Sequence, residues 1–183
     1  GWAYDDETAS SFEIGGKHEL LDGSMNFNWA LFSSEYKDQQ VSTFVGLGFV
    51  VANAATSKID GLEVDMTWQA TDNLTLGANV AYLDGRYGSF PGAGCTAEQA
   101  SALKTVMAAG TGTSAMGCDQ QFSNGVPTGV SQDLAGGQIG AEYSGALFAD
   151  YVQPLSAGVV WFASVGVNFT DGYYMTGDLD PVD

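Results

Sequence analysis

The groups that could do chemistry in this 183-residue chain are few: the carboxylates Glu13, Glu19, Glu63 and Asp65, the single histidine His18, and the thiols Cys95 and Cys118. His18 sits at an apolar-face position of an alternating stretch, where an isolated imidazole reads as interfacial rather than catalytic. Two cysteines without nearby His or paired Cys spacing do not make a zinc site. Both fall in one loop-like region, so a loop disulfide is the better reading than free thiols, and it would place the chain in an oxidising compartment. Asp178, Asp180 and Asp183 are spaced in a way that could hold calcium, but a solvated acidic loop is the preferred reading. No nucleophile elbow, phosphate loop or His-Glu-x-x-His signature is present, and "GLGFVV" is not followed by a helix. The expectation is no enzyme, no metal and no cofactor.

The elements that must position these groups are strands. In "KIDGLEVDMTWQATDNLTLGANVAY" every second residue from Leu62 is apolar: Leu62, Val64, Met66, Trp68, then Leu74, Leu76, Ala78, Val80 and Tyr82. Glu63, Asp65, Thr67 and Gln69 occupy the other parity, because strand side chains alternate faces. Six strands follow from this period. The first covers about residues 11–21, with Phe12, Ile14 and Leu20 opposed to Glu13, Lys17 and Glu19. Asp22-Gly23 signals a hairpin into a second strand, where Met25, Phe27, Trp29 and Leu31 alternate with Asn26, Asn28 and Ala30. That strand is expected to end at a glycine turn near Gly46 and Gly48. The third returns to Gln69, and the fourth runs to about Tyr87. The fifth spans about 138–152, with Ile139, Ala141, Tyr143, Leu147 and Tyr151 on its apolar side, and the sixth contains Trp161, Ala163, Val165, Val167 and Phe169.

Between the fourth and fifth strands, residues 88–137 are rich in Gly, Ser, Thr and Ala. Connections this long are usually functional or disordered. One helix is expected within it, over "TAEQASALKTVMAA", opened by a capping box of Thr96 and Gln99 and with Ala100, Leu103, Val106 and Met107 on one face.

Two features ask what the apolar face touches. Turns at Asp22-Gly23, 71–73 and 153–158 are short, whereas the connections at the other ends are long, as in a membrane barrel. Aromatics also gather at strand ends. Trp68, Tyr151 and Trp161 stand by the short turns, and Tyr82, Tyr87, Tyr173 and Tyr174 near the opposite ends, which is the placement of interfacial girdles. No apolar run of about 18 residues offers a transmembrane helix. The formal charge of −17, with only Lys17, Lys37, Lys58, Arg86 and Lys104 as strong bases, argues against nucleic-acid binding. The fold expected is all-β: an antiparallel transmembrane barrel segment with Leu62, Val64, Met66, Trp68, Leu74, Leu76 and Val80 facing lipid, and Glu13, Glu19, Glu63 and Asp65 facing the lumen.

The ordered series of motifs resembles the barrel of TonB-dependent outer-membrane receptors. The residues that carry the resemblance are Glu13, Gly15 and Lys17, a short Asp-Gly turn, then Phe32, Tyr36 and Asp38, followed by Asn53-Ala54, Ser57, Gly61 and Glu63. "TDNLTLGANVAYLDGRY" and "FADYVQPLSAGVVWFASVGVNFTDGYY" continue it. The stretch "GGQIGAEYSG" departs from it, standing where relatives often carry a Pro-rich segment. The resemblance implies a barrel of about 22 strands around a plug domain, of which residues 1–183 would be a six-strand piece, with 88–137 as an extracellular loop. It further implies residence in the bacterial outer membrane and import of a scarce nutrient (an iron chelate, cobalamin or an oligosaccharide) with energy from the TonB complex acting through the plug. The lumen carboxylates would then be solvated residues of a polar interior, which is the preferred reading, or else would meet the plug or line the transport path, and the loop would help form the ligand vestibule. A passive porin and a soluble secreted β-sandwich adhesin are the alternatives.

Overall fold

A computed structural model describes residues 5–45 and 48–173. Six antiparallel strands form one sheet, in chain order apart from an inserted loop: β1 (Thr8–Leu20), β2 (Met25–Val45), β3 (Gly48–Thr71), β4 (Leu74–Ser89), β8 (Tyr143–Pro154) and β9 (Val160–Thr170). The hairpin turn after β1 needs positive φ at Leu21 (54°), Asp22 (54°) and Gly23 (86°), and Gly23 N–H donates to the Leu20 carbonyl at 3.2 Å. Asp and Gly are the residues that tolerate such geometry most readily. The Thr71 hydroxyl accepts from the Leu74 and Asn73 amides and so closes the second short turn.

The insertion between β4 and β8 is more ordered than its composition announces. It contains α1 (Ala97–Ala108) and a separate three-stranded sheet of β5 (Ser114–Ala115), β6 (Cys118–Ser123) and β7 (Val126–Ser131). The β6–β7 hairpin turns at Asn124 (φ 51°) and Gly125 (φ 77°). The capping box of α1 is complete: Gln99 N–H donates to Thr96 Oγ1 at 3.2 Å, and Thr96 N–H to Gln99 Oε1 at 2.8 Å. Among the described residues, four of the five buried apolar side chains lie in this insertion: Ala93, Leu103, Cys118 and Leu134. The large sheet buries little by itself, since one layer of strands has no second layer against it.

Several sequence expectations change. The fifth strand begins at Tyr143 rather than near 138, because Gly136 (φ 81°) and Gly140 (φ 72°) break the extended chain before it. Ile139 therefore does not join the apolar face. Its amide donates to the Gly85 carbonyl, and it sits on the same side as Gly85, on the polar parity. The glycine turn expected near Gly46 and Gly48 includes residues outside those described, as do Tyr174, Asp178, Asp180 and Asp183.

Candidate functional site

Register determines which residues share a face, since directly paired residues point the same way. One row reads Gly15, Ala30, Glu63, Ala81, Ser144, and the next Lys17, Asn28, Asp65, Asn79, Ala146. Glu13 lies one row above and Glu19 one row below, so the register brings all four carboxylates to the same face. A cavity of about 630 Å³ opens there, lined among others by Glu13, Lys17, Asn28, Glu63, Asp65 and Asn79. Asp65 is gripped from both sides: Asn28 Nδ2 donates to Oδ1 at 3.1 Å and Asn79 Nδ2 to Oδ2 at 3.2 Å. Two amide donors fix that carboxylate in one orientation. Among the described residues, Glu13 and Glu63 have no hydrogen-bonding or ion-pairing partner. The face thus presents free carboxylate oxygens to whatever occupies the cavity.

The polar face also carries apolar side chains that sequence reading passed over. Phe148 lies across Gly77, and Phe32 and Leu83 lie across Gly61, so tightly that a Cβ at either glycine would meet the rings. These glycines make room for bulky groups on neighbouring strands. Tyr87 belongs to this face as well, in register with Ser57, and meets Phe90 at 5.0 Å. It is therefore not part of an outward girdle.

The opposite face holds Leu62, Val64, Met66, Trp68, Leu74, Leu76 and Val80 in rows with Ile14, Leu31, Leu147, Val165, Val167 and Phe169. Many of these are at least a third exposed, including Ile14 at 54% and Val167 at 57%. His18 is here too, stacked with Phe27 and accepting from Trp29 Nε1 at 3.1 Å, which pairs two polar groups on an apolar surface. Gly16 leaves space for that contact, since its Cβ would fall 2.5 Å from His18 Nε2. Tyr82 and Tyr143 pack at 5.0 Å near the long-loop end, and Tyr151 and Trp161 at 5.7 Å near the short-turn end.

The loop is anchored at the rim of the polar face. Cys95 and Cys118 are joined by a disulfide, which ties the start of α1 to β6. Gln99 Nε2 donates to Gln132 Oε1 at 2.9 Å, and Gln132 Nε2 to the Gly94 carbonyl at 2.6 Å, linking the helix to the returning chain. Asp133 Oδ1 accepts from the amides of Phe90 and Ala135, both at 3.0 Å. Nothing in the sequence alternation points to Gln132 or Asp133. Among the described residues no three His, Cys, Asp or Glu side chains converge as a metal site.

Comparison with known proteins agrees with this geometry. The family model for the TonB dependent receptor-like β-barrel matches residues 3–182. A probable TonB-dependent siderophore receptor, PiuA of Acinetobacter baumannii, is 35% identical over 80 residues, which is 44% of this chain and 10% of the relative. The crystal structure of the siderophore receptor PiuA from the same organism superposes with a TM-score of 0.57 at 21% identity, covering 93% of this chain and 20% of that one. The ferric yersiniabactin uptake receptor FyuA from Yersinia pestis gives 0.57 at 14% identity, covering 94% of this chain and 20% of that one. The chain therefore spans about one fifth of the length of the solved structures it matches. Its six-stranded sheet is a piece of a larger barrel, and the chain belongs to the TonB-dependent receptor β-barrel family.

Proposed function

We propose that this chain is part of a bacterial outer-membrane receptor that binds a scarce nutrient outside the cell and imports it with energy delivered by TonB, without covalent catalysis. The observation that carries the reading is the difference between the two faces of one sheet. The face bearing Leu62, Val64 and Met66 is apolar and has no second layer over it, with Leu62 exposed and Val64 and Met66 half-buried among their neighbours, while the face bearing Glu63 and Asp65 is polar and lines a cavity. A soluble sandwich would bury the first and wet the second. In a barrel the order inverts, with lipid outside and water or plug inside. The dimensions fit. From Tyr143 to Gln153, the partner of Trp161, is ten residues, so the two aromatic levels lie about 33 Å apart along the strand and about 25 Å apart after a tilt of about 40°. That is the height of an outer-membrane apolar band.

In the complete protein Glu13, Glu19, Glu63 and Asp65 would meet the plug or line the transport path. The disulfide-bonded loop would form part of the ligand vestibule. Ferric siderophores are the favoured cargo, on the strength of what the similar receptors are named for; cobalamin and oligosaccharides are the other nutrient classes considered.

The test uses the full-length receptor with residues 97–131 replaced by a short Gly-Ser linker. Binding of labelled ferric siderophore should fall at least about tenfold, an effect of about 1.4 kcal/mol, while the barrel still assembles. Uptake by the intact receptor should stop in cells lacking TonB. Uptake that persists without TonB would favour a passive pore instead.

A further inference from the structure

The chain holds seven asparagines, and Asn124 alone precedes a glycine. Asn28 and Asn79 donate their side-chain amides to Asp65, Asn53 to the Asp5 and Asp38 carbonyls, and Asn73 to the Val152 carbonyl. Asn26 and Asn168 are each followed by phenylalanine in a paired strand. Asn124 differs on every count. It is exposed, its carboxamide has no hydrogen-bonding partner among the described residues, and Gly125 after it is exposed too. Apart from its chain neighbours, nothing lies within 4 Å of where a Cβ on Gly125 would stand, so its backbone nitrogen is open to approach. Both residues have positive φ and lie between the paired Ser123 and Val126, which makes them the two central residues of the β6–β7 turn.

We propose that Asn124 is a site of spontaneous deamidation that ages the loop. The Gly125 nitrogen attacks the Asn124 carboxamide carbon, a new C–N bond forms, and the side-chain nitrogen departs as ammonia with the proton that Gly125 gives up. Water then opens the cyclic imide at one of its two carbonyls, leaving aspartate or isoaspartate. Nothing is oxidised or reduced, and water is the sole co-reactant. Ring closure needs the Asn124 backbone to leave the conformation that the turn imposes, so the reaction runs through local opening of the hairpin. The hairpin is held at its base and loose at its tip. At the base, Cys118 is fully buried and bonded to Cys95, and Gln120 Nε2 donates to the Gly129 carbonyl at 2.7 Å. At the tip, Phe122 and Val126 are 51% and 62% exposed, and β7 is the outer strand of its sheet. Little apolar burial and one-sided pairing put such a segment at the low end of local stability. The product acts back on the same hairpin. Isoaspartate carries the main chain through its side-chain carbon and lengthens the turn by one atom, which breaks the geometry that pairs Ser123 with Val126. The new carboxylate adds to an already acidic chain. The inference holds whatever the loop binds.

The test ages purified full-length receptor in mildly alkaline buffer at growth temperature and maps its peptides by mass spectrometry, with fragmentation that separates isoaspartate from aspartate. The peptide holding residue 124 should gain one mass unit, isoaspartate should exceed aspartate, and peptides holding the other asparagines should keep their mass. Cys95→Ser/Cys118→Ser should speed the conversion at least about tenfold, because the reaction follows the population of the open hairpin. Asn124→Gln should abolish it, since the ring would have to be one atom larger. Deamidated receptor, separated from fresh receptor by ion exchange, should be cut faster by protease within residues 118–131. An unmodified Asn124 in the aged intact receptor, or conversion to aspartate without isoaspartate, would overturn the proposal. Equal rates with and without the disulfide would overturn the hairpin's control of the reaction.

Discussion

Substituting Gly145→Val will prevent most of the barrel from assembling in a stable form. A Cβ at this position would fall 2.6 Å from the Asn79 carbonyl oxygen on one side and 2.6 Å from Phe169 Cζ on the other. A ring can tilt away, but the Asn79 carbonyl belongs to the ladder between β4 and β8 and cannot. The strand must therefore separate from its neighbour or slip register, and a one-residue slip would send the apolar face of β8 into the cavity. Overpacking of this kind costs about 3 kcal/mol. The measurement is the folded fraction of full-length receptor by heat-modifiable gel mobility, together with a denaturant midpoint. Adding Phe169→Ala should restore only part of the loss, because it removes the ring and leaves the carbonyl. Phe169→Ala alone should have a smaller effect, since that ring is 41% exposed on the outward face.

The second large effect concerns the loop. Replacing Cys95 and Cys118 by serine, or reducing the bond, should destabilise the folded insertion by about 3 kcal/mol through the freedom returned to the unfolded loop. The closed segment packs on itself: Cys118 and Leu103 are fully buried, Cys95 is half-buried, and α1 rests on β5 and β6. Opening the bond exposes that small core and puts two hydroxyls into it. Protease cleavage within residues 97–131 should then rise roughly 100-fold, because cleavage follows the population of the open form. The six-stranded sheet should keep its stability, and siderophore binding should weaken if the loop shapes the vestibule. Unchanged cleavage and unchanged uptake would remove the loop from the proposed function.

The residues explain which parts of this architecture could be read without coordinates. Alternation in Leu62 to Trp68 and in Leu74 to Tyr82 assigns faces because one physical rule, the two-residue period, governs every position. Asp22-Gly23 and 71–73 mark turns because few residues accept their dihedrals. The same logic was available for Asn124-Gly125, the strongest short hairpin signal, flanked by residues that became β6 and β7; the Gly- and Ser-rich composition around it hid the signal. Other features depend on pairings that no local rule supplies. Phe148 meets Gly77 only because β8 pairs with β4 across the whole insertion. Ile139 changed sides because the chain between 136 and 143 is irregular, and a break there reverses every inference drawn from parity; Tyr87 needed only the alternation of β4, which sets it on the parity opposite to Tyr82. Of the candidate site residues, the four carboxylates needed only parity to be grouped. The Asn28–Asp65–Asn79 clamp needed register across three strands.

The central claim is that the hydrophobic surface of this protein faces outward, into lipid. Nitroxide labels at 63, 64, 65 and 66 in the full-length receptor, reconstituted in bilayers, test it residue by residue. Labels at 64 and 66 should be accessible to oxygen and shielded from a water-soluble paramagnetic reagent. Labels at 63 and 65 should show the reverse, or be shielded from both reagents where the plug covers them. Aqueous exposure at 64 and 66 with lipid exposure at 63 and 65 would contradict the account.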